Sequence, residues 1–152
     1  MTFAAPAGRG NLGSMDFDWI EKREEKGLRF GCTQCGHCCC QFPGYVWVTP
    51  EEIAKIAAMR GLSVDEFGRR YLRKIGSRYS LVEDSRNRCV MLGEDNRCTV
   101  YAERPSQCRT FPFWTSAIRT EKTWNALKEF CPGVDHGPLH GIAEIRATVQ
   151  KV

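Results

Sequence analysis

The chain has 152 residues, 42% of them hydrophobic, with nine cysteines and a formal net charge of +4. That length predicts one domain with a core of modest size. No run approaches the roughly 20 apolar residues of a membrane span, and the first fifteen residues hold no stretch of signal-peptide character, so the expectation is a cytoplasmic chain without membrane association.

Residues 1–15 are rich in Gly and Ala and are expected to be a disordered N-terminal segment, with Met15 as one candidate start. Residues 16–152 are then the single folded domain. Residues 16–26 (DFDWIEKREEK) predict a short helix: acids lie near its start, Phe17, Trp19 and Ile20 form an apolar stripe, and Gly27 stops it. Residues 31–41 form a cysteine loop in which Gly31 and Gly36 permit a tight backbone. The aromatic and β-branched residues 45–48 predict a strand. Thr49 is an N-cap with Pro50 at the first helical position; Ile53, Ile56, Ala57 and Met59 mark the apolar face, and Gly61 ends the helix. Ser63 and Glu66 are spaced as a capping box for a second helix that buries Phe67, Tyr71 and Leu72. Strands are expected at 79–82, 89–92 and 98–101, with a turn at 93–96, so that Cys89 and Cys98 sit on the two arms of one hairpin. Pro105 opens a turn or short helix carrying Cys108, the aromatic segment 111–114 (FPFW) wraps the core, and the tail from Ile142 to Val149 is weakly helical. The fold class is α+β, with short helices and a β-hairpin around cysteine-ligated metal.

The metal expectation rests on Cys32-Thr-Gln-Cys35-Gly-His-Cys38-Cys39-Cys40, which places five cysteines within nine residues. Two thiolates separated by two residues can bite one ion, and a third cysteine three positions on extends the bite, as in ferredoxin-type clusters. Adjacent cysteines chelate one ion poorly together, so Cys39 and Cys40 are expected to point elsewhere. Without export, thiols stay reduced, and dense cysteine then signals metal rather than disulfides. Zinc knuckles more often pair two C-x2-C units. Here there is one tight cluster followed by isolated cysteines, an asymmetry that favours iron–sulfur over zinc. The competing reading of the later cysteines is that of small buried hydrophobes, strongest for Cys89 and Cys98 on apolar strands and weaker for Cys108 and Cys131 beside turn-forming Pro residues.

Arg86, Arg88, Arg97, Arg104 and Arg109 cluster in sequence around the later cysteines, where cations favour the thiolate. Their plain alternative is a solvated basic face. His37 lies inside the cysteine loop and could replace one thiolate, whereas His136 and His140 read as surface-loop residues. No triad, phosphate loop or dinucleotide fingerprint is present, so no catalytic residue is assigned.

The whole series resembles the YkgJ-type cysteine-cluster family, the CxxCxxCC zinc/iron-chelating or Fe–S-cluster-containing proteins. The resemblance is carried by Cys32, Cys35, Cys38 and Cys39, then Cys89-Val-Met-Leu and Cys98-Thr-Val-Tyr, then Arg104-Pro105, Cys108-Arg109, Phe111-Pro112-Phe113 and Cys131-Pro132, together with the Thr49-Pro-Glu-Glu helix start. It spans residues 28–133. It implies that Cys32, Cys35, Cys38, Cys39, Cys89, Cys98, Cys108 and Cys131 are metal ligands and leaves Cys40 as the odd one. Two Zn(Cys)₄ sites, two [4Fe-4S] clusters, or one cluster with leftover thiols remain open. Eight bound thiolates would offset both the +4 charge and two doubly charged centres, so the basicity does not argue for nucleic acid. The expected cofactor is an iron–sulfur cluster, of 4Fe-4S type, with Zn as the alternative. The expected role is redox or accessory, with an unidentified protein or redox partner. One branch of the family resembles flagellin lysine N-methylases, in which the same module sits in a longer chain.

Overall fold

The structure is a computed structural model that describes residues 17–40 and 44–149. The expected disordered segment 1–15 lies outside the described residues. In chain order the elements are α1 (Asp18–Glu21), β1 (Gly27–Phe30), α2 (His37–Cys40), β2 (Val46–Val48), α3 (Pro50–Met59), α4 (Val64–Tyr71), β3 (Leu72–Ile75) and β4 (Arg78–Leu81). A 3₁₀ turn (Tyr101–Glu103) follows, then α5 (Ser106–Thr110), α6 (Thr115–Ile118), α7 (Glu121–Leu127), β5 (Val134–Gly141) and α8 (Ile142–Val149). Short helices around two small antiparallel sheets make this an α+β fold, as expected. Among the described residues no helix is long and apolar enough to cross a membrane. The described chain divides into two compact units: Gly36–Arg109 forms one, and residues 17–35 with 110–149 form the other.

The first unit is built on a three-stranded sheet in the order β2-β4-β3. Val46, Trp47 and Val48 pair with Leu81, Ser80 and Tyr79, and β3 and β4 form a hairpin through Gly76, whose φ is +59°. That hairpin was not legible in the sequence, because Leu72 reads equally well as the end of the preceding helix. Both helix starts match expectation. Thr49 Oγ1 accepts from Glu52 N (3.2 Å) while Glu52 Oε2 accepts from Thr49 N (2.9 Å), and Ser63 and Glu66 repeat the pattern. Gly61 follows α3 with φ +65°, the left-handed exit that glycine takes at least cost. Ile53, Ile56, Ala57 and Phe67 pack with Val48, Leu81, Met91 and Val100 into one core. Met59, expected on the apolar face, is 48% exposed.

The predicted strands at 89–92 and 98–101 do not form. Asp84 Oδ1 accepts from the backbone N–H of both Arg86 and Arg88, and Leu92 N donates to Cys89 O, so this stretch closes into turns. Only isolated bridges remain, Glu83 with Cys89 and Leu92 with Cys98. Cys89 therefore pairs back toward β4 rather than across to the segment of Cys98.

In the second unit β1 and β5 pair antiparallel, Gly27 opposite Gly141 and Leu28 opposite His140. A Cβ on Gly27 would lie 2.4 Å from His140 O, which explains a glycine at this close approach. The predicted helix over 16–26 shortens to α1, since Lys26 turns to φ +49° and Gly27 begins a strand. The core gathers Phe17, Ile20, Leu28, Phe113, Trp124, Leu127, Val134 and Ile145. Trp124 Nε1 donates to Asp135 Oδ1 (2.8 Å), and Asp135 also receives Lys128 and Arg23. The segment 111–114 serves this core as expected: Phe113 is buried and stacked on Trp124, with centroids 6.2 Å apart and planes 7° apart.

Candidate metal centre

Gly36 starts the site. Its φ is +75°, and a Cβ there would lie 2.2 Å from Asn96 O, so both conformation and space require glycine. The turn it permits leads into α2, closed by Cys39 N donating to Gly36 O (2.9 Å). Gly31, expected to share that role, keeps a φ outside the left-handed region.

Along α2 the sulfurs of Cys38 and Cys39 stand 3.9 Å apart. Zn–S bonds of about 2.3 Å in a tetrahedron imply sulfur–sulfur edges of about 3.8 Å. The neighbours Cys38 and Cys39 are thus spaced like two ligands of one ion, contrary to the expectation that adjacent cysteines diverge. Cys40 does diverge: its thiol donates to His37 O at 3.8 Å. From the turn after β4, Cys89 N donates to Cys39 O (2.7 Å), which ties the second cysteine segment to the first. Cys98 sits on the bridge to Leu92, and Cys108 rides on α5.

These five thiols perturb one another. A hydrogen bond from Cys39 lowers Cys38 to about 7 against the opposing effect of burial, with Arg104 adding to the lowering. A hydrogen bond with Cys39 also lowers Cys89, against the opposing effect of burial. Cys39, hydrogen-bonded to both Cys38 and Cys89, is driven strongly upward and stays protonated. Burial raises Cys98 and Cys108; the charges of Cys89 and Cys38 push both further up, while Arg104 opposes them. A metal ion bound by such thiols would replace their protons.

Among the described residues no three Cys, His, Asp or Glu side chains already converge as a metal shell. The donor chemistry nevertheless suits a thiophilic ion: five soft sulfurs, two of them at ligand-edge separation, with a cation alongside.

Cys32, Cys35 and Cys131 belong to the second unit. Cys32 is exposed and its sulfur accepts from Gln34 N (3.4 Å), and Cys35 is half-buried. Cys131, 9% exposed, lies in the core cluster with Leu127 and Val134. That is the environment of a small buried hydrophobe, the alternative held open at sequence level for the later cysteines. Cys89 and Cys98, for which that alternative was strongest, do pack against the first unit's core, while Cys89 is also hydrogen-bonded to Cys39 and Cys98 feels the charges of Cys89 and Cys38. No disulfide links any of the cysteines.

Among the five arginines, Arg104 acts by its charge on Cys38, Cys98 and Cys108. It is fixed by donation from Nε to Tyr101 O (3.0 Å) and by stacking 3.6 Å over the Tyr101 ring. Arg86 and Arg88 are instead tied to Asp84 and Glu94. His140 is not a surface-loop residue. It is half-buried on β5, with Nδ1 against Glu144 (2.8 Å) and Nε2 against Phe30 O (3.0 Å).

Two residues with no metal-ligand signal anchor α5, the helix that carries Cys108. Glu52 Oε1 accepts from Ser106 N (2.7 Å) and Ser106 Oγ (2.6 Å) at the start of α5. Gln107 on α5 accepts from Trp47 N (2.9 Å) and donates to Tyr45 O (3.0 Å), occupying the edge of β2 as a strand would. The sequence marks Glu52 only as a capping acid, because its partner lies more than fifty residues away.

The site and fold together define a small cysteine-cluster protein. A family model described as "CxxCxxCC: Putative zinc- or iron-chelating domain" matches residues 31–132, and the chain belongs to this family. An uncharacterized protein of Methanocaldococcus jannaschii, MJ0661, is 30% identical over 88 residues, which cover 57% of this chain and 46% of that protein. The chain thus spans about half the length of this curated relative. No solved structure matches it.

Proposed function

We propose that this chain is a metal-binding protein that carries a cysteine-ligated iron–sulfur cluster in a redox or accessory role. The observation that carries metal binding is the group of five mutually perturbing thiols in the first unit, Cys38, Cys39, Cys89, Cys98 and Cys108. Cys32, Cys35 and Cys131 complete the proposed ligand set, and the three-residue stride of the first cysteines supports the cluster. Bound there, a cluster would supply one-electron transfer, and the protein's part is to hold the sulfurs, bury them and set a cation at Arg104 beside them.

A second reading, a structural zinc module, is favoured by one distance. The 3.9 Å between Cys38 and Cys39 suits two ligands of a single ion. Cubane corners hold their thiolates farther apart, since each points outward from its own iron. Protein purified without oxygen and without added metal separates the two. Roughly four or eight Fe with equal sulfide, and a broad absorption near about 400 nm, supports the cluster. One or two Zn with no colour supports the module, and no Fe or Zn at all overturns both.

A further inference from the structure

The carboxylate of Glu52 divides its work between two elements. Oε2 accepts from Thr49 N (2.9 Å) and so closes the capping box of α3. Oε1 takes the backbone N–H and the hydroxyl of Ser106 at 2.7 and 2.6 Å, the first residue of α5, and the Arg109 guanidinium stands 3.8 Å away on the same helix. A short helix of five residues has little stability of its own, so its placement depends on such anchors. Cys108 lies two residues beyond Ser106, flanked by the anchors Gln107 and Arg109. We infer that Glu52 is a positioning residue for the metal centre: it pins α5 to α3 and thereby holds the Cys108 sulfur where it can ligate. The inference rests on thiolate metal binding by the first unit.

A capping acid would serve α3 equally well without touching Ser106, so the two roles can be separated. Thr49→Ala removes the hydroxyl that accepts from Glu52 N but leaves both Glu52 oxygens engaged. In Glu52→Gln the amide offers one oxygen and one NH₂ group. Whichever way it turns, either Thr49 N or Ser106 N faces a donor. Ser106→Ala removes one bond to Oε1 and leaves α3 intact.

The test measures metal retention against a competing chelator, alongside melting of the metal-free protein, for the parent and these variants. Outer-shell partners of metal ligands are worth about 10–100-fold in affinity. Glu52→Gln is therefore expected to weaken retention by about tenfold or more, and Ser106→Ala by a few-fold in the same direction. Thr49→Ala is expected to stay within about twofold of the parent despite a comparable loss of melting temperature. Equal loss of metal in Thr49→Ala and Glu52→Gln makes Glu52 a structural cap and overturns the inference. Unchanged retention in Ser106→Ala overturns it too, and keeps the question decidable if Glu52→Gln fails to fold. Cys108→Ser tests the underlying reading separately: retention at the parent's level would remove Cys108 from the ligand set, whatever Glu52 does.

Discussion

At the scale of single residues the thiols differ in what they can do at neutral pH. Cys38 reaches solvent, and the hydrogen bond from Cys39 outweighs the partial desolvation of its thiol and lowers it to about 7. Cys98 and Cys108 are raised by burial. In chelator-treated protein, iodoacetamide should modify Cys38 with a midpoint near pH 7 and leave Cys98 and Cys108 until the fold is opened. Peptide mapping of the alkylated protein checks the order; equal labelling of all three would contradict it. Cys40, whose thiol turns back to His37 O, should be dispensable: Cys40→Ser is expected to keep the parent's metal content and melting temperature. Metal loss in that variant would place Cys40 among the ligands. The closeness of Cys38 and Cys39 was not legible in the cysteine spacing. It depends on the left-handed turn at Gly36, which spacing alone does not specify.

Elements with strong local signals were read correctly from the sequence. The N-cap at Thr49, the capping box at Ser63, the helix exit at Gly61 and the terminal helix from Ile142 all rest on interactions within a few residues. The elements that were missed depend on distant partners. β1 (GLRF) and β5 (VDHGPLHG) carry Gly and Pro that argue against strands, and they form because each supplies the other's hydrogen bonds. The turns around Cys89 were mistaken for strands because Val90, Met91 and Leu92 are apolar; they are apolar to reach the core, while Asp84 takes up the backbone donors. Removing the cap of α3 with Thr49→Ala should cost about 1 kcal/mol in denaturant unfolding. Glu52 bears on acid stability as well. Burial raises its carboxyl, but hydrogen bonds from Ser106 and Thr49 and the charge of Arg109 outweigh that and leave it lowered. A lowered carboxyl contributes stability above its unfolded pKa of about 4.3 and loses it as pH falls through the folded value. Glu52→Gln should therefore flatten the loss of stability below about pH 4.3, and an unchanged acid profile would contradict the assignment.

Over the whole molecule, each unit carries its own apolar cluster, one around Phe67 and Ile56 and one around Trp124 and Ile20. Trp124 is fully buried and also hydrogen-bonded to Asp135, so Trp124→Ala should cost about 3–5 kcal/mol, read by chemical denaturation. Cores of this size are modest, and metal-binding energy in small domains is folding energy. Chelation is accordingly expected to lower the melting temperature by more than any single surface substitution does. The most direct test of thiolate ligation is X-ray absorption at the bound metal's K-edge, on protein purified without oxygen. Thiolate ligation gives a shell dominated by sulfur, at about 2.3 Å for zinc. A shell of nitrogen and oxygen without sulfur would contradict it.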